Sequence, residues 1–158
     1  MAITKIIADS ITSGAIGNTP SFQVTQSSSQ TFSANTTTKI TYDTEVYNVG
    51  GGFNTTNNNF TVPSGEAGKY FFYIQTQGIF TDNSTQVCGI ALFVNGTQTK
   101  YTRNKREGVG TDTSFFNSSI VDLSVGDVVD ARLYHSFSTS RSNDVDATVT
   151  YFTGFKLL

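Results

Sequence analysis

The amino-acid sequence predicts an all-β fold, an antiparallel jelly-roll β-sandwich preceded by a short extended N-terminal arm. Three observations carry that prediction. β-Branched and aromatic residues recur in short runs along the 158 residues, and Gly, Asn or Ser interrupts them at intervals of about ten residues. Helix signals are correspondingly weak. Two of the runs flank Asn95-Gly96, and Asn-Gly is a strong short hairpin signal because both residues tolerate positive φ.

Residues 1–24 read as the arm. Ile3, Ile6, Ile7, Ile11 and Ile16 stand among Ser, Thr and Gly at nearly helical spacing, but Gly14 and Gly17 weaken any helix and Pro20 favours an extended boundary. So sparse an apolar stripe cannot form a core, so it is expected to dock on a sister subunit or another protein. Residues 25–158 are then one jelly-roll domain, long enough for a real core and too short to favour two. Thr38 to Tyr47 alternates and reads as a strand with one buried face. Lys69 to Gly78 contains Tyr70, Phe71, Phe72, Tyr73 and Ile74 in succession, the pattern of a central strand buried on both faces. Gln86 to Val94 and Thr97 to Tyr101 form the expected hairpin. Arg103 to Gly110 is dense in charge and reads as an exposed loop. Ser114 to Leu123, the turn Ser124 to Asp127, a strand from Val128 to Phe137, the polar loop Ser138 to Asp144 and an apolar closing strand from Ala147 to Leu158 complete the chain. About eight antiparallel strands in one unit suggest a jelly roll or a related sandwich.

Composition excludes several functions. Charged residues make up 14% of the chain and the net charge is −2, so the basic footprint that dominates nucleic-acid affinity is missing and no nucleic-acid partner is expected. The apolar stretch in Met1 to Gly17 is cut by Asp9 and Ser10, which argues against a secretion signal, and no window approaches the roughly 18 apolar residues of a membrane span. Cys88, the single cysteine, lies in an apolar run and reads as a small buried thiol, leaving no disulfide framework and no thiolate zinc site. His135 is the sole histidine and has no acidic motif beside it, so it is a poor catalytic base. Gly50-Gly51-Gly52 lacks a following Lys-Ser/Thr and a helix, which makes it a connection and not a phosphate cradle. The chain is expected to be no enzyme.

A constellation beginning at Tyr42 resembles the C1q globular-head signature. Tyr42, Asn48, Phe53 and Phe60 follow one another at steps of six, five and seven residues, and Gly68, Tyr70 and Phe72 supply the Gly-x-Tyr-x-Phe close. The stretch between Phe60 and Gly68 is two residues longer than the pattern, which a longer turn absorbs. The pattern opens on Phe where this chain has Tyr42 and ends on an aromatic where it has Ile74. Leu123-x-x-Gly-Asp-Val-Val and the closing Tyr-Phe-Thr-Gly-Phe-Lys-Leu-Leu resemble later motifs of the same family, so the likeness covers about residues 25–158.

The resemblance is to C1q and tumour necrosis factor-like globular domains, of the kind found in bacteriophage virion proteins, whether decoration or tail-fibre components. It implies a tight homotrimer packed through one sheet, with Tyr70, Phe71, Phe72, Tyr73 and Phe155 as candidates for the interface. Calcium is the one cofactor the family leaves open, through Asp82, Asp112, Asp127, Asp130, Asp144 or Asp146, although their spacing resembles no dedicated ligand loop. Arg103, Lys105, Arg106 and Arg141 fall in two expected loops and offer a polar binding edge, with solvated loop charge as the bland alternative.

Three features point to a phage particle: the missing signal peptide, the missing collagen repeat, and an opening that resembles arms before C1q-like domains in virion proteins. Capsid decoration, with the arm gripping other virion proteins, competes with a fibre or spike tip that binds host glycan or protein. A bacterial C1q-like lectin or adhesion module is the outside alternative. The expected location is the virion, assembled in the host bacterial cytoplasm.

Overall fold

The computed structural model describes residues 19–78, 82–108 and 112–157, with the side chains of 82–85 and 106–108 outside that description. The arm residues Ile3, Ile6, Ile7, Ile11 and Ile16 lie outside the described residues. Every regular element among the described residues is a strand: β1 (Ser21–Thr25), β2 (Thr31–Phe32), β3 (Thr38–Lys39), β4 (Thr44–Val49), β5 (Phe53–Asn54), β6 (Asn59–Thr61), β7 (Gly68–Gly78), β8 (Asp82–Val94), β9 (Thr97–Gly108), β10 (Thr113–Leu123), β11 (Val128–His135), β12 (Arg141–Ser142) and β13 (Tyr151–Lys156).

Two antiparallel sheets face each other. One is five-stranded in the order β10-β7-β13-β1-β4; the other runs β5-β6-β11-β8-β9, with β3 also paired to β11, and a small β12-β2 pair stands apart. The all-β jelly-roll reading therefore holds. Neighbours in the sheets come from distant parts of the chain, as when β1 lies between β13 and β4 with Ser21 opposite both Phe155 and Val49.

Alternation along each strand decides what enters the core. On β7, Tyr70, Phe72, Ile74 and Thr76 point inward and are buried, while Phe71, Tyr73, Gln75 and Gln77 point outward and are half-buried. Phe22, Phe60, Phe72 and Phe152 interlock at the centre: Phe22 lies 5.2 Å from Phe60 and 5.0 Å from Phe152, and Phe72 lies 5.9 Å from each of Phe60 and Phe152. Tyr42 and Phe53 extend the cluster, 5.7 and 5.9 Å from Phe152. Each ring removed from water contributes about 1.5 to 3 kcal/mol. Gly154 sits among them because a Cβ there would fall 2.5 Å from Phe72 Cδ1 and 2.8 Å from Phe22 Cε1.

The signature positions fall where the core needs them. Tyr42, Phe53, Phe60, Tyr70 and Phe72 are all buried. Asn48 works through its amide: Nδ2 donates to the Phe53 carbonyl at 2.9 Å and Oδ1 accepts from the Phe53 N–H at 3.2 Å, which closes the Gly50-Gly51-Gly52 connection. Gly68 opens β7 at φ 141°, a conformation other residues rarely adopt. Burial pushes the Tyr70 phenol up to about 12, helped by the nearby Glu66 charge, and its O–H donates to the Glu66 carbonyl at 2.6 Å. The expected hairpin is present, with Asn95 at φ 51° and Gly96 at φ 77°. A second lock ties it to the turn before β11. Asn95 Nδ2 donates to Asp127 Oδ1 at 2.8 Å, Asn95 Oδ1 accepts from the Val128 N–H at 2.9 Å, and Asp127 Oδ2 accepts from the Ser124 N–H at 2.8 Å.

Several expectations need correction. The arm expected over residues 1–24 ends sooner, because Ser21–Thr25 is an internal strand of the five-stranded sheet and the folded unit begins by Ser21. Thr38 to Tyr47 is not one strand: it divides into β3 and β4, which serve opposite sheets. Lys69 to Gly78 is buried on one face only. The expected loop at Arg103 to Gly110 is strand as far as Gly108, because β9 continues to pair with β8. The polar stretch Ser138 to Asp144 contains β12.

Candidate assembly face

The outward side of the five-stranded sheet is where this fold concentrates unspent apolar surface. Register aligns its side chains in rows across the strands. Val49, Ser21, Phe155, Phe71 and Ile120 form one row, and Tyr47, Gln23, Thr153, Tyr73 and Ser118 form the next. A third brings Tyr151, Gln75 and Phe116 together. None of these side chains carries a formal charge, and Lys69 and Asp122 stand opposite each other in register at the margin.

The rings on this face already touch one another. Phe71 and Phe155 lie 5.3 Å apart, and Tyr73 stacks between Tyr151 at 5.6 Å and Phe116 at 6.4 Å. The Tyr73 hydroxyl donates to Gln75 Oε1 at 2.6 Å, and burial together with the Tyr151 phenol raises its pKa. Four large side chains stay open at the flanks: Tyr47 is 40% exposed, Val49 50%, Phe116 54% and Ile120 57%. An apolar, charge-free centre with a polar margin is the anatomy of a protein interface.

Of the interface candidates named from sequence, Phe71, Tyr73 and Phe155 lie on this face. Tyr70 and Phe72 do not: each is 1% exposed inside the sandwich, since neighbours on a strand point to opposite sides. Phe116, Ile120, Tyr151, Tyr47 and Val49 belong to the face and were missed. A signal existed for two of them, because Phe116 and Ile120 alternate with Ser114 and Ser118 on the otherwise polar side of β10.

The basic residues do not form one edge. Arg103 and Lys105 lie on β9 opposite Gly89 and Val87, and the backbone of Arg106 pairs with Gln86. Arg141 is elsewhere, on β12, where its guanidinium donates to Thr139 Oγ1 and lies 4.8 Å over the Phe137 ring. It also lines a cavity of about 410 Å³ with Asp112, Asn143 and Asp144.

Of the aspartates considered for calcium, Asp112 and Asp144 line that one cavity, Asp127 and Asp130 stand elsewhere, and the Asp82 side chain lies outside the described residues. Asp127 is held by Asn95 and Ser124, which lowers its pKa, and Asp146 accepts from Thr148 with the same effect. Asp130 receives two bonds from Arg132, at 2.7 and 3.0 Å, and lies 3.5 Å from Lys39 Nζ. No group of three or more His, Cys, Asp or Glu close enough to hold a metal occurs among the described residues. His135 is wholly buried with Nε2 2.9 Å from the Phe32 carbonyl, and Cys88, opposite it in register, is buried too. Both serve packing.

Comparison with known proteins bears on the same residues. A family model for the C1q domain matches residues 21–157. No curated protein sequence matches the chain. Among solved structures, the globular domain of zebrafish complement 1qA protein superposes with a TM-score of 0.63 at 16% identity, covering 88% of this chain and 98% of that one. Murine APRIL at pH 5.0 gives 0.64 at 13% identity, covering 87% and 98%. Eiger TNF from S. frugiperda gives 0.61 at 13% identity, covering 87% and 92%.

Proposed function

The chain belongs to the C1q family, and from that premise we propose that it works as a homotrimer, a non-enzymatic structural module of a bacteriophage particle that decorates the capsid. C1q and TNF-like domains are in general non-enzymatic binding modules that form homotrimers. The observation that carries the trimer here is the charge-free aromatic face of β10, β7, β13, β1 and β4. Left in water it is a liability, and two sister copies of complementary shape would cover it.

A trimer of this kind should bury well over about 1,000 Å² at each interface. The virion assignment draws on the opening residues 1–20, whose isoleucine stripe resembles docking arms that precede C1q-like domains in phage structural proteins. In this reading the arm grips other virion proteins while the sandwich stands on the shell.

Two measurements test the reading. Light scattering of the purified chain, with and without residues 1–20, is expected to return three times the protomer mass in both cases; a monomer overturns the trimer. Averaged electron microscopy of virions carrying the protein is expected to show its density distributed over the capsid shell. Density confined to a fibre or spike tip would replace decoration with receptor binding.

A further inference from the structure

The outward face of the other sheet has a different chemistry. Tyr101, Arg103 and Lys105 alternate along β9, so all three project to one side, with the two cations roughly 7 Å apart along the strand. Arg103 and Lys105 are exposed, and among the described side chains neither forms an ion pair with a carboxylate. Beside them lies a flat floor. The Tyr101 ring rests directly on Gly89, where any Cβ would overlap it, and Tyr134 faces Gly89 from the opposite strand. Burial raises the Tyr101 phenol pKa, the Arg103 charge opposes that, and Tyr134 adds to it, so the three groups are close enough to feel one another.

Two other cations of this sheet are already occupied, and Lys100, one residue before Tyr101, projects to the opposite side of β9. Arg132 is bonded to Asp130 and stacked 4.2 Å over Phe93, and Lys39 reaches the same carboxylate. Among the described residues, the unspent positive charge on the outward side of β9 is therefore concentrated at Arg103 and Lys105, next to two aromatic rings with polar tips.

We propose that this face binds a carboxylate-bearing polysaccharide. A pyranose ring offers a flat C–H face that packs on tyrosine, and its hydroxyls can meet the phenols. An Arg fork matches a carboxylate in two parallel bonds, and Lys adds a point charge. Two cations on a chain of net charge −2 suit a polymer with sparse charge, whereas nucleic acid rewards a dense basic footprint. The site lies on the outward side of the other sheet, across the sandwich from the assembly face.

The test is titration of the full chain with oligomeric polygalacturonate, with dextran as the neutral comparator and a double-stranded DNA fragment as the densely charged one. Polygalacturonate is expected to bind and to weaken as salt shortens the screening length, while dextran does not bind. Arg103→Gln with Lys105→Gln should weaken binding by about tenfold per cation, the size of one charge-assisted hydrogen bond. Gly89→Ala keeps every charge but lifts the Tyr101 ring and should weaken binding as well; Tyr101→Leu provides the same test if that variant folds poorly. Circular dichroism and scattering mass should stay unchanged in the charge variant. No binding of polygalacturonate, equal binding of dextran, or tighter binding of DNA overturns the proposal. So does a charge variant that aggregates while its soluble fraction binds normally, because the cations would then only guard the edge of β9.

Discussion

Phe71 and Phe72 are adjacent, chemically identical, and predicted to fail in different ways. Phe72 is 1% exposed, packed 5.9 Å from Phe60, 5.9 Å from Phe152 and 6.0 Å from Tyr70. Phe72→Ala removes a whole ring from a filled core, which costs about 3 to 5 kcal/mol. For a domain of this size that lowers the melting temperature by on the order of 10 °C. The loss should be independent of protein concentration, because the damage lies inside one protomer.

Among the described residues Phe155 is the one aromatic neighbour of Phe71 within the protomer, so Phe71→Ala should cost the isolated subunit about 0.5 to 1.5 kcal/mol. A ring at the centre of an interface is worth about 2 kcal/mol or more, so the association constant should fall about 30-fold for each contact it made. The assay is urea denaturation of both variants across a wide range of protein concentration, followed by circular dichroism and scattering mass together. Phe72→Ala should shift the midpoint equally at every concentration. Phe71→Ala should shift it most when dilute, with loss of the trimer mass. If the two variants give equal shifts at every concentration, the outward sheet face is not an interface and the reasoning fails.

Other positions allow sharper steric and electrostatic tests. Gly154→Ala places a methyl against Phe72 and Phe22 and should destabilise by about 1 to 3 kcal/mol, read by thermal melting; an unchanged melt would mean the two rings yield freely. Asp127→Ala leaves the Ser124 N–H and the Asn95 amide without their acceptor and should cost about 1 kcal/mol, with Asp127→Asn intermediate. Burial depresses the His135 pKa, the Arg141 charge adds to this, and the bond to the Phe32 carbonyl opposes it. The unfolded chain therefore protonates first, near pH 6.5, so the contribution is complete above that value and shrinks as pH falls toward the lower folded value, by up to about 1.4 kcal/mol per unit. Comparing wild type with His135→Gln across that window isolates the effect; parallel profiles would show that His135 does not titrate with folding.

How much was legible depended on whether a strand advertised itself through burial. The aromatic ladder from Tyr42 to Phe72 identified the core because each of those rings has a fixed place between the sheets. β9 was lost halfway because it is an edge strand: Arg103 and Lys105 face solvent and Thr102 and Asn104 point the other way, so no apolar alternation remains. Beyond Thr102 it is backbone pairing with β8 that carries the strand on. Five consecutive apolar residues in β7 suggested burial on both faces, yet the outer face is finished only by whatever packs against it, and a single chain cannot encode that as burial. Phe116 and Ile120 were overlooked for a related reason, since two apolar side chains among serines read as incidental until β7 aligns them with Phe71 and Gln75. Arg141 lies in another sheet from Arg103 and Lys105, and nearness in charge pattern says nothing of nearness in space.

The pairing of β1 with β13 has a practical result. Pro20 and Lys156 share a backbone hydrogen bond of 3.0 Å, so the folded unit begins and finishes at a single pole. Anything fused before Ser21 or after Leu157 emerges from that pole, which also carries the Ser124–Asp127 turn and, bonded to it, the Asn95-Gly96 tip, while the Gly78 and Thr113 ends of β7 and β10 stay clear of it. A short bridge between the two ends, with the chain reopened at the Asn95-Gly96 tip, should preserve both sheets. The architecture thus behaves as a plug with one wired end, and cargo can be attached there without disturbing either broad face.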